Sequence, residues 1–252
     1  MKNYVISLTN ACDRRNHISR EFGKQGIDFE FFDAITPSQI NEISIKFGID
    51  LNKTDLSSGE IGCLLSHLCL WQKAIDNNWD NITIFEDDVY LGENSAVFLN
   101  TYDWLPKNFD AIKLETVLTP VHLSNPTKIH DRKLCTLNTF HYGTGAYVIS
   151  KQCIIELLSL IQKQEKITTI DDILFNQIIK SKNVLQLTPA LCIQEVVCKQ
   201  GNLALNSDLE SHRKNHQFIK PKRTLSQKII RELKALSNKT RLKLWGEIVK
   251  FE

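Results

Sequence analysis

Two short apolar segments, separated by the length of one helix, open the chain and restrict it more than any other feature. Tyr4-Val5-Ile6-Ser7-Leu8 has the length and nearly continuous apolar character of a buried strand. A loop carrying Asn10, Asp13 and Arg14 leads into a helix that ends near Gly23 or Gly26. Phe29 to Ala34 then forms a second strand, dense in aromatic residues. Strand, helix and strand in such a short stretch make a βαβ unit, which favours parallel pairing. A parallel sheet needs helices over its faces, so the expected class is α/β.

The rest of the chain continues in the same manner. Ser57-Ser58-Gly59-Glu60 has the pattern of a capping box, with Ser57 at the N-cap and Glu60 at N3. The helix that follows carries Ile61, Leu64, Leu65, Leu68, Trp71 and Ile75 at helical spacing and runs to Asn77. Asn81 to Phe85 is a short apolar strand that stops in Glu86-Asp87-Asp88. Ala111 to Glu115 and Ala146 to Ile149 are further strands, the latter opened by Gly143-Thr144-Gly145. Helices are expected over 151–163 and 170–181, and Val184 to Leu187 reads as an edge strand before Pro189. The segment 117–140, with Pro120, Pro126 and few periodic apolar residues, reads as a long irregular loop of a kind that is often functional.

Composition narrows the class. The chain has 252 residues, 42% hydrophobic and 24% charged, which supports one large core and excludes a disordered, collagenous or disulfide-stapled protein. The net charge of +2 is unevenly spread. From Arg213 to Glu252 there are twelve Lys or Arg against three Glu, a net of +9, which leaves −7 on the first 212 residues. Such a tail suits an anionic membrane or a nucleic acid. It holds no recognisable nucleic-acid module and the body is acidic, so nucleic acid is not an expected partner. None of the seven cysteines (Cys12, Cys63, Cys69, Cys135, Cys153, Cys192 and Cys198) forms a CxxC pair, so no structural zinc site is expected. Their apolar neighbours suit a reducing compartment. The first apolar run is too short for a secretory signal, and Ile61 to Trp71 is too short and too polar to span a bilayer. A soluble or peripheral protein is expected.

The sharpest chemical feature is the acidic triplet. An apolar strand ending in three carboxylates places negative charge at the carboxyl edge of a sheet, where ligands bind in open α/β folds. Along an extended chain Glu86 and Asp88 point to one side and Asp87 to the other. Two converging carboxylates suit a hard cation such as Mn²⁺ or Mg²⁺, which bridges diphosphate oxygens; a solvated acidic turn is the bland alternative. Arg14 and Arg15 open a helix after the first strand, where guanidinium forks meet phosphate or simply face solvent. Glu60 and His67 share one helix face, although capping already explains Glu60 and burial would explain His67. Asp171 and Asp172 start a helix, which the macrodipole favours by itself. Glu115 ends its strand as Glu86 does. In His141-Tyr142-Gly143-Thr144-Gly145 the glycines permit close backbone approach to a ligand or form an ordinary turn.

Taken in order, these segments resemble glycosyltransferase family 25, the bacterial lipooligosaccharide glycosyltransferases. The resemblance rests on Tyr4 to Leu8 with Arg14-Arg15, Phe31-Phe32-Asp33-Ala34, Gly59-Glu60-Ile61-Gly62-Cys63-Leu64-Leu65-Ser66-His67 with Leu70-Trp71, and Ile84-Phe85-Glu86-Asp87-Asp88-Val89. It continues through Lys113-Leu114-Glu115-Thr116, Gly143 to Ser150, Ile170-Asp171 and Pro189 to Glu195, and so covers residues 3–200. It implies a GT-A-type, Rossmann-like α/β fold with a mainly parallel sheet. It also implies a UDP-sugar donor, usually UDP-galactose, transfer with inversion to a β linkage, and a lipid-linked core oligosaccharide as acceptor at the cytoplasmic face of the inner membrane. UDP-glucose is the alternative donor, and a non-catalytic nucleotide- or carbohydrate-binding protein is the alternative class. The family's D-x-D type metal motif reads Glu-Asp-Asp here, which assigns Glu86 and Asp88 to a divalent cation, Mn²⁺ first and Mg²⁺ second. By position, Ser7, Arg14, Asp33, Glu60, His67, Asp87, Asp88, Gly143 and Thr144 would hold the donor. His141 and Tyr142 would meet the acceptor. Asp171 is the first choice for the catalytic base and Glu115 the second. The expected domains are a catalytic unit over 1–200, a polar connector over 201–223 and a basic amphipathic helix over 224–252. Laid on anionic lipid, that helix would bring the enzyme to its acceptor.

Overall fold

The computed structural model describes residues 1–199, Leu205, Thr240 and 242–252. The elements are β1 (Asn3–Ser7), α1 (Cys12–Gly23), β2 (Glu30–Asp33), α2 (Ile40–Lys46), α3 (Ser58–Asp76), β3 (Asn81–Glu86), β4 (Val89–Leu91), α4 (Ser95–Leu99), β5 (Ala111–Lys113), β6 (Glu115–Thr116), β7 (Pro120–Val121), β8 (Leu123–Ile129), β9 (Arg132–Leu137), β10 (Ala146–Ser150), α5 (Lys151–Lys163), α6 (Ile170–Asp172), β11 (Val184–Thr188), β12 (Cys192–Gln194), α7 (Glu195–Cys198) and β13 (Glu247–Ile248).

One eight-stranded sheet runs β2-β1-β3-β10-β5-β11-β9-β8. β1 is parallel to β2 and β3, and β5 to β11, while β10 and β9 are antiparallel to their neighbours. Six strands therefore point one way and two the other, a mixed but mainly parallel sheet. Both faces are buried, and each strand divides its side chains between them. Tyr4, Ile6, Ile82, Ile84, Tyr147 and Ile149 enter one core with α3 and α5. Val5, Phe85, Ala146 and Val148 enter the other with α1 and α4. This period of two, with apolar residues on both faces, is why the central strands read as continuous apolar runs. The capping box at Ser57 and Glu60 is formed as the sequence predicts.

Three expectations need correction. The segment 117–140 is largely ordered: β8 and β9 form a hairpin that extends the main sheet. β8 carries Pro126, a register shift between Ser124 and Thr127, and mostly exposed side chains, so it lacks the alternation by which strands are recognised. Because that hairpin adds two strands, β11 is interior, between β5 and β9, and not an edge. The predicted helix 170–181 is an irregular run in which α6 passes into π and then 3₁₀ turns.

The end of the chain also differs from the expected tail. Residues 206–239, which hold most of the predicted basic helix, lie outside the described residues. Residues 242–245 are helical, but the chain then leaves the helix, and β13 pairs antiparallel with β7. Val249 is buried and Phe251 bridges Ala190. The pairing with β7 gives the backbone of this last segment partners outside a helix. Arg132 ties this closure together. Buried, it donates to the carbonyls of Pro189, Ala190, Glu93 and Glu252. Arg132→Leu would leave these acceptors without their donor and should lower the unfolding free energy by about 3 kcal/mol or more in urea titration. A loss below about 1 kcal/mol would show that the closure does not depend on this side chain.

Candidate active site

The carboxyl ends of β1 and β3 lie side by side, with Ile6 opposite Glu86. β3 ends there in a turn, and the acidic triplet splits as strand alternation predicts. Asp87 turns inward. It accepts hydrogen bonds from Ser7 Oγ at 2.6 Å and from Arg14 at 2.5 Å, so its charge is consumed in tying β1, α1 and β3 together. Glu86 and Asp88 turn to the other side, into a cleft of about 550 Å³. Gln194, carried there by the small sheet β4-β12-β6, donates its amide Nε2 to Glu86 at 2.7 Å and to Asp88 at 3.4 Å. The Thr144 hydroxyl donates to the second oxygen of Glu86 at 2.6 Å.

The electrostatics follow from crowding. Burial, then the charges of Asp88 and Glu115, push the Glu86 carboxyl up to about 8. Burial also raises Asp88, to about 6, although Arg14 pulls the other way. Two half-buried carboxylates that resist ionisation thus converge on a single amide donor, an arrangement whose oxygens are chemically able to take a cation.

Asp171 lies on the wall of the same cleft, where its Oδ2 accepts the backbone N–H of Gly143 at 3.3 Å. Gly143-Thr144-Gly145 is therefore a strap between Asp171 and Glu86. Beneath it lies a fully buried ion pair, Lys113 to Glu115 at 2.7 Å. Lys113 also donates to the Gly143 carbonyl, and Glu115 accepts the N–H of Gly145. A Cβ at Gly143 would come within 2.7 Å of Glu115, and one at Gly145 closer still. The glycines are there to let the strap lie on this carboxylate, and Gly143, at φ +82°, uses a conformation that side chains disfavour.

The other predicted residues divide between the cleft and its surroundings. Tyr142, Gly143, Thr144 and Glu60 line the cleft, and Glu60 also performs its capping role. Ser7, Arg14, Asp87 and Asp88 line a second, adjoining cavity of about 150 Å³ at the ends of β1, β2 and β3. Glu86, Gly59, Gly62 and Cys63 are also among its lining residues, and Gly62 lets α3 approach the Ile35 carbonyl. Asp33 lies outside both cavities, largely exposed and paired with Arg15. Glu115 does not reach the cleft, because the strap covers it. His67 and His141 are fully buried and line neither cavity. Burial lowers both to about 3, and each is bonded to a neighbour, His67 to Tyr147 and His141 to Gln186. Gln194 and Glu195 are cleft residues to which sequence reading assigned no role. Both stand in the segment that resembles the family, and that was the signal available.

The sequence profile described as glycosyltransferase family 25 (LPS biosynthesis protein) matches residues 1–174. The chain belongs to glycosyltransferase family 25. It is 36% identical to lipooligosaccharide biosynthesis protein lex-1 of Haemophilus influenzae, over 98% of this chain and 94% of that protein. It is 35% identical to the lacto-N-neotetraose biosynthesis glycosyltransferase LgtB of Neisseria meningitidis serogroup B, over 94% of each chain. Among solved structures, a glycosyltransferase involved in glycosylation of the major capsid of PBCV-1 superposes over 87% of this chain and 100% of that one, with a TM-score of 0.44 and 9% identity.

The site of this glycosyltransferase therefore rests on the pair under the strap. Lys113→Met would leave Glu115 buried without its counter-charge, which should cost about 3–5 kcal/mol of stability. Thermal unfolding of the variant measures it, and an unchanged midpoint would show that the strap is held by other means.

Proposed function

We propose that the protein transfers a hexose, galactose from UDP-galactose, to a sugar of a growing lipooligosaccharide core, in a β linkage formed by inversion. The reading is carried by one observation: a single cleft holds a carboxylate pair, Glu86 and Asp88, and a separate carboxylate, Asp171, joined by one backbone strap. Relatives named for lipooligosaccharide and lacto-N-neotetraose biosynthesis support the acceptor class.

The donor set at Glu86 and Asp88 fits a hard divalent cation, since its oxygens converge on the point now bridged by the Gln194 amide. These two residues would hold it, with Mn²⁺ the first expectation and Mg²⁺ the second. Bound there, the ion supplies charge neutralisation for the diphosphate leaving group. The remaining roles belong to the protein. Arg14 faces both cavities and places its guanidinium beside the same diphosphate position. The smaller cavity at the ends of β1 and β2 receives the nucleoside. Asp171, held by the Gly143 N–H, takes the proton of the acceptor hydroxyl as the new bond forms, and Tyr142 at the cleft mouth meets the acceptor sugar.

Asp171→Asn should lower kcat by about 10²–10⁴-fold while UDP binding stays intact. Glu86→Gln should instead abolish the metal-dependent part of UDP binding, read by calorimetry with and without Mn²⁺. Near-normal transfer by Asp171→Asn would exclude Asp171 as the base.

Recruitment to an anionic membrane surface on the cytoplasmic side completes the proposal. It is supported by the net +9 of residues 213–252 and by the exposed Leu244, Trp245 and Ile248. Co-sedimentation with anionic vesicles should fall in Leu244→Ser/Trp245→Ser and with added salt. Equal binding to neutral vesicles would contradict the electrostatic part.

A further inference from the structure

Behind the cleft stands a second constellation, which shares one residue with the transfer site. Cys63 and His67 stand one helical turn apart on α3 and project to the same side. Glu86 faces them from the end of β3. One ligand atom from each of the three lies within 4.8 Å of the other two. His67 is completely buried, and its Nε2 has no hydrogen-bond partner among the described residues. Its Nδ1 lies 2.7 Å from the Tyr147 hydroxyl, an oxygen that also accepts the Trp71 indole N–H at 3.1 Å. In the tautomer in which Nδ1–H donates to Tyr147, Nε2 presents a lone pair. A buried ring whose far nitrogen is oriented by a second residue is how proteins prepare a metal-binding histidine.

We infer that Cys63, His67 and Glu86 form a binding site for a thiophilic divalent cation of the Zn²⁺ type, distinct from the hard-cation pair Glu86 and Asp88. Sulfur and imidazole nitrogen select such an ion over Mn²⁺ or Mg²⁺. A zinc tetrahedron with bonds of about 2.0–2.3 Å sets its ligand atoms roughly 3.3–3.8 Å apart, so a small side-chain rotation closes the set and leaves one position open. Binding releases the Cys63 thiol proton, and the Glu86 carboxyl proton where it is held, to solvent. The absence of a CxxC pair hid this site in the sequence, because its third ligand comes from a strand nineteen residues beyond His67.

Glu86 belongs to both sites, and that has a consequence. A carboxylate held by Zn²⁺ with Cys63 and His67 no longer converges with Asp88. Zn²⁺ therefore acts as an antagonist of metal-dependent transfer. The antagonism rests on the transferase reading, whereas the site itself does not.

The test is a Co²⁺ titration of the full-length protein without donor, with Cys63→Ser in parallel. The wild type should develop a thiolate-to-cobalt charge-transfer absorption that saturates at one equivalent and is removed by Zn²⁺. Cys63→Ser should lack the band, bind Zn²⁺ at least about tenfold more weakly, and keep its own Mn²⁺-supported transfer rate when Zn²⁺ is added. A wild-type protein without the band, or a variant that binds Zn²⁺ as tightly as the wild type, overturns the site. A band in a protein that transfers no sugar supports the site and counts against the transferase reading alone.

Discussion

The buried pair of Lys113 and Glu115 is the interaction on which the site depends. Neither side chain touches solvent, and an isolated charge in that position would be far too costly. Together they fix the strap above them at both glycines. The strap in turn donates to Asp171 and to Glu86, so one ion pair sets the relative placement of the groups to which acid–base and metal chemistry are assigned. Removing only one partner strands the other, and this makes the pair a stringent constraint even where its net contribution to stability is small. Lys113 also lies over the Phe175 ring, so the irregular run that follows Asp171 packs on the same cation.

A second constraint is the division of labour within the acidic triplet. Asp87 spends its charge on Ser7 and Arg14, which holds the ends of β1 and β3 in register with α1. Glu86 and Asp88 face the cleft, where burial first and neighbouring carboxylates second raise both above the usual carboxylate range. The same backbone alternation that buries apolar residues on both sheet faces thus sorts three adjacent carboxylates into one latch and one converging pair.

Much of this was legible in the sequence because it is local. The β1-α1-β2 unit, the capping box at Ser57 and the strand into Glu86 each carry their pattern within a few residues. The hairpin of β8 and β9 did not show, since its outer strand is polar, irregular and interrupted by Pro126. The place of β11 in the sheet depended on that hairpin and failed with it. Among site residues, type and position suggested Glu115, His67 and His141, but whether a side chain faces a cleft or lies beneath it is a tertiary fact. Glu115 proved to be a foundation, and the two histidines proved to be buried. Gln194 was missed because an amide in a short strand has no motif of its own; only the packing of β12 beside β3 reveals what it bridges.

The most direct test of the central claim is NMR observation of transfer from a panel of UDP-sugars to lactose and simple glucosides and galactosides, with and without Mn²⁺. The account predicts turnover of UDP-galactose alone, dependent on the metal, with a product whose new anomeric proton shows the large coupling of a β linkage. A product of retained α configuration, or transfer that is indifferent to divalent cations, would contradict it.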